Sequence, residues 1–76
     1  MVCILSKDEK YVLCYSWQPP WVQWFNRAPI VACNHVEPLF GSIKAGQSNS
    51  ANGIIFVHEG TVEQAFQRYL DWKSNL

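Results

Sequence analysis

The sequence predicts an α+β fold: an antiparallel sheet of three to five strands with one C-terminal amphipathic helix packed on one face. Three observations carry this. Short runs rich in β-branched, aromatic and thiol side chains fill the first half of the chain, the run Ile54 to His58 (IIFVH) repeats that character, and the last sixteen residues switch to helical spacing. At 76 residues there is room for one domain, spanning 1–76, in which bulky rings must supply most of the buried area.

The first two strands are read at residues 2–5 (VCIL) and 11–17 (YVLCYSW), joined as a hairpin by the polar SKDEK. Side chains alternate along a strand, so Tyr11, Leu13, Tyr15 and Trp17 form a face of large groups while Val12, Cys14 and Ser16 form a small one suited to a packed helix. Pro19 and Pro20 end the second strand because proline has no N–H for the ladder. Pro20 then suits the first position of a helical turn through Phe25, in which Trp21, Trp24 and Phe25 share a face. A third strand is expected over Pro29 to Val36, followed by EPLFGSIKAG, which fits either a short strand or an irregular segment interrupted by Gly41. The loop AGQSNSANG has nothing to bury.

The helix is announced by Gly60 and by a capping box, Thr61 with Gln64 three residues on. Val62, Ala65, Phe66, Tyr69 and Leu70 then recur at helical spacing, and Trp72 flanks their stripe where the Arg68 guanidinium is placed to stack on it.

Composition narrows function by exclusion. Six basic and six acidic residues cancel and are scattered, which argues against nucleic acid and against an anionic membrane surface as partners. The apolar runs are too short to span a bilayer, and the N-terminal segment has its charges in the wrong order for a secretory signal, so a cytoplasmic location is expected. Three cysteines in no framework spacing suit reduced thiols. The isolated glycines form no phosphate cradle, and no cofactor is predicted.

Two constellations bear on chemistry. Cys33 and His35 fall on one side of a strand with Glu37 beyond, the elements of a minimal thiol enzyme or small-ligand binder. Cys33, His35, His58 and Cys3 or Cys14 are zinc-compatible types, but their spacing fits no metal motif, so neither a catalytic nor a metal residue is assigned. A third alternative, stacking of single-stranded bases on Tyr11, Tyr15 and Trp17, lacks flanking cations.

The remaining signal is WQPPWVQWF, which places three of the four tryptophans in nine residues. One inner sheet face cannot hold every ring, so the surplus is expected at the surface, with Trp17, Trp21, Trp24, Phe25 and Arg27 as the partner-binding residues. The expected function is that of a small non-enzymatic interaction module that sterically blocks a larger protein or protein complex. The segment folding back as a lid over an open end of the sheet, and homodimerisation through the same patch, are the other ways to cover it. By size it compares with phage-encoded inhibitors of host defence and with antitoxins, and its tail HEGTVEQAFQRYLDW resembles the strand–helix unit of HicB-like antitoxins.

Overall fold

The computed structural model describes residues 1–27 and 32–76, with the side chains of Arg27 and Ala32 also outside the description. Its elements run β1 (Val2–Leu5), β2 (Tyr11–Gln18), β3 (Pro20–Arg27), β4 (Ala32–Pro38), β5 (Asn52–Glu59) and α1 (Val62–Ser74). The strands form two antiparallel sheets, one in the order β1-β2-β5 and one a β3-β4 hairpin. The α+β architecture with one C-terminal helix is therefore observed, with the strands divided three and two.

The turn from β1 to β2 is closed by its own polar groups. Asp8 accepts from the Ser6 hydroxyl at 2.7 Å and from the Lys10 amide at 3.1 Å, while the Tyr11 amide donates to Ser6 Oγ at 3.0 Å. These bonds hold the Asp8 carboxyl below its usual range, Ser6 contributing most. Along β2 the two faces separate as their side chains require. Val12, Cys14 and Ser16 are buried, and α1 covers them with Ala65 and Tyr69, joined by Phe56 of β5. The small side chains let the helix approach, and the Tyr69 hydroxyl accepts from Gln18 Nε2 at 2.8 Å, so the ring's polar end is satisfied.

Cys3 and Cys14 are directly opposite each other, with Sγ atoms 3.5 Å apart. Burial first and the Cys3 thiol second push the Cys14 thiol up to about 12, which leaves it protonated and inert.

The helix begins as its sequence demands. Thr61 Oγ1 accepts from the Gln64 amide at 3.2 Å, and Gln64 Oε1 accepts from the Thr61 amide at 3.1 Å. Gly60 has φ +142°, a conformation that side chains disfavour.

Three expectations are corrected. Pro20 to Phe25 is not a helical turn but the first part of β3, because β4 lies beside it and supplies ladder partners that an isolated turn of that length lacks. Phe66 and Leu70 stay 47% and 37% exposed, since a 13-residue helix on a narrow sheet buries only its central line, Ala65 and Tyr69. Arg68 lies over Phe56, 4.5 Å from the ring centroid, instead of over Trp72, which packs against Tyr69 at 5.9 Å. The predicted strand Pro29 to Val36 is found from Ala32 onward, and its first residues lie outside the described ones.

The chain is thin and spread out. Its Cα extents are 49 × 35 × 12 Å and its radius of gyration is 14.8 Å, against roughly 11 Å for a compact chain of this length. The thickness reflects one helix layer on one face only, and on the other face Ile4, Leu13, Tyr15 and Ile55 share a groove with Cys33 and Asn34 of β4. No helix among the described residues is long and apolar enough to cross a membrane.

Candidate interaction surface

The double proline separates two environments for the rings. Gln18 ends β2, the Gln18–Pro19 peptide is cis, and β3 runs back along β4 from Pro20. The Leu39 amide donates to the Pro19 carbonyl at 3.0 Å and closes the base of this arm.

Trp17 belongs to the sheet. It is half-buried opposite Gly53, and a Cβ built on that glycine would meet ring atoms Cε3 and Cζ3 at 2.8 Å. The indole therefore occupies the space a side chain on β5 would take.

Alternation along the arm is interrupted between Pro20 and Val22, where the register with β4 shifts at Trp21. Trp21 and Phe25 are 66% and 53% exposed, the most exposed rings of the arm among the described residues. Trp21 also lines a groove of about 310 Å³ with Pro38, Leu39, Phe40 and Gly41. Trp24 is on the face opposite Phe25, stacked on His35 at 3.8 Å with the rings parallel to 1°, and its Nε1 donates to Glu37 Oε1 at 3.5 Å. Arg27 closes β3, but its side chain is outside the described residues. Of the five residues expected to meet a partner, the fold thus leaves Trp21 and Phe25 the most exposed, stacks Trp24 on His35 and keeps Trp17 in the sheet.

The Cys33–His35 pair is assembled as the strand period implies, with Sγ 3.2 Å from Nε2. Cys33 borders a groove of about 340 Å³ lined also by Ile4, Leu13, Tyr15, Asn34 and Ile55. Burial raises the Tyr15 phenol above its ordinary range, and its hydroxyl is enclosed without a hydrogen-bond partner among the described residues. The remaining zinc-compatible residues are dispersed: Cys3 and Cys14 pair across β1 and β2, and His58 lies 3.4 Å from Gln64. Among the described residues no three His, Cys, Asp or Glu side chains gather to hold a metal.

Sequence reasoning missed Leu39 and Phe40, which complete the groove at Trp21, and Ile55 and Val57, exposed on the outer face of β5. The last pair had a signal. GIIFV is apolar on both faces of its strand, the pattern of a strand covered on both sides, whereas α1 covers only the side of Phe56.

No family model matches this chain, and neither a curated protein nor a solved structure matches it.

Proposed function

We propose that the protein is a non-enzymatic interaction module that docks the β3-β4 arm on a larger protein and blocks it sterically. The observation that carries this reading is that Trp21 and Phe25 are each more than half exposed on a two-stranded arm. Such an arm gains little stability by itself, and large rings on it cost solvation without contributing to the core; a partner's pocket offsets both. The groove of Trp21, Pro38, Leu39 and Phe40 extends the apolar contact, and the polar 45–51 loop lies next to it in sequence as an adaptable rim. An inhibitor of host defence of the phage type, or an antitoxin-like blocker, is the class of activity this size and surface suit.

Affinity capture from the native host, with Trp21→Ala and Trp24→Ala as variants, tests the reading. Capture of a defined partner that Trp21→Ala abolishes, with the helical circular dichroism unchanged, is the expected result. Loss of fold in both variants places these rings in the core and ends the proposal.

A second reading rests on the 3.2 Å Cys33–His35 contact: a thiol site facing the 340 Å³ groove. Iodoacetamide separates the two. One native thiol labelled rapidly at neutral pH supports the thiol site, whereas slow labelling of all three, made fast by denaturation, removes it.

A further inference from the structure

We infer that two copies of this chain associate through the free edge of β5, pairing antiparallel about a twofold axis to make one six-stranded sheet with both helices on the same face. This uses a surface separate from the arm and does not rest on the function proposed above.

The direction of the backbone groups on β5 follows from one bond. The Gly60 amide donates to the Lys10 carbonyl at 3.0 Å, which makes Lys10 and Gly60 a hydrogen-bonded pair. Hydrogen-bonded pairs recur every second residue in an antiparallel ladder, so His58, Phe56 and Ile54 turn their amides toward Val12, Cys14 and Ser16. The other side of β2 agrees, since the Ser6 amide donates to the Tyr11 carbonyl and so directs the odd residues of β2 to β1. Gly53, Ile55, Val57 and Glu59 therefore point their N–H and C=O groups away from the sheet, and no strand among the described residues lies against them.

This edge lacks the devices that keep edges single. Lysine, proline, a bulge or shortness normally blunts an exposed strand, and the eight-residue β5 carries only a terminal Glu59. Ile55 and Val57, whose amides point outward, are also 73% and 59% exposed at their side chains. The chain exposes 5847 Å² where a folded monomer of 8.8 kDa exposes roughly 4800 Å², a surplus on the order of 1000 Å². A stable interface removes about 800 Å² from each partner, so the surplus is of the size one interface absorbs.

Self-complementarity selects a second copy as the occupant. Centred on Phe56, the antiparallel register sets Ile55 of one copy opposite Val57 of the other, and Gly53 opposite Glu59. Every outward amide then has a partner, four aliphatic side chains form one cross-strand cluster, and no like charges meet. Equal numbers of acidic and basic residues leave no net repulsion between copies.

Light scattering on the full chain at about 100 μM, well above a micromolar Kd, is expected to give twice the 8.8 kDa mass. Val57→Lys, at an exposed position, is expected to give the single mass with unchanged helical circular dichroism. Amide exchange supplies a readout that needs no variant. In the dimer the amides of Ile55, Val57 and Glu59 are protected along with those of Ile54, Phe56 and His58, and dilution frees only the first set. A single mass at that concentration overturns the inference. So does a double mass that Val57→Lys leaves intact while the odd amides exchange freely, or one that Trp21→Ala breaks and Val57→Lys does not, because the copies then meet elsewhere. The arm's partner is read in a different assay, so either proposal fails without the other.

Discussion

Gly53→Ala isolates a single contact whose sign depends on its neighbour. The new Cβ would lie 2.8 Å from two carbons of the Trp17 ring and 3.2 Å from a third. Carbon atoms rest at about 3.5 to 4.0 Å, so the ring must retreat by roughly 0.7 Å or more, away from the strand it covers. Overpacking of this kind costs about 1 to 3 kcal/mol. Gly53 has no positive φ, so alanine also reduces the freedom of the unfolded chain, which returns about 0.4 to 1 kcal/mol. Since Trp17 is half-buried and able to tilt outward, the net loss is expected at about 1 to 2 kcal/mol, several degrees in Tm for a domain of this size. In a Trp17→Ala background the obstacle is gone and the same substitution is expected to stabilise by about 0.5 kcal/mol. Urea denaturation of the wild type, both single variants and the double variant measures the coupling, expected at about 1 to 3 kcal/mol. A Gly53→Ala variant as stable as the wild type, or one with the same effect in both backgrounds, would refute the placement of Trp17 on β5 and return that indole to the candidates for partner contact.

Two further outcomes follow from the inner layer. Thr61→Ala removes one half of the capping box and is expected to cost about 1 kcal/mol, measured by thermal unfolding. The Cys14 thiol stands at about 12 in the folded chain against 9.0 for a free thiol, so its contribution to stability is complete below pH 9 and is lost as pH rises toward 12, where folded and unfolded states both ionise. The urea midpoint is expected to fall more steeply above pH 9 in the wild type than in Cys14→Ala; parallel slopes would show that the thiol ionises as readily folded as unfolded.

The helix, its cap and the two faces of β2 were legible in the chain because each depends on spacing within one segment. Thr61 and Gln64 are three residues apart, and each satisfies a backbone group that every helix start leaves open. Val12, Cys14 and Ser16 alternate with larger groups, so whatever packs on β2 packs on that side. The ring-rich segment is different. Trp21, Trp24 and Phe25 fit one face of a helical turn, and the period of two also fits Trp21 and Phe25 to one face of a strand. Local spacing satisfies both.

The tertiary structure decided between them, since β4 supplies a ladder to Pro20–Arg27 that a single turn has no means of matching. That pairing sends Trp24 onto His35 and leaves Trp21 and Phe25 outside. The same holds for Ile55 and Val57. Their alternation was written in the chain, while their exposure follows from where α1 lies, over Phe56 and Cys14 and away from the opposite face. Periodicity defines which side chains share a face, and only the packing of distant segments determines which faces are covered.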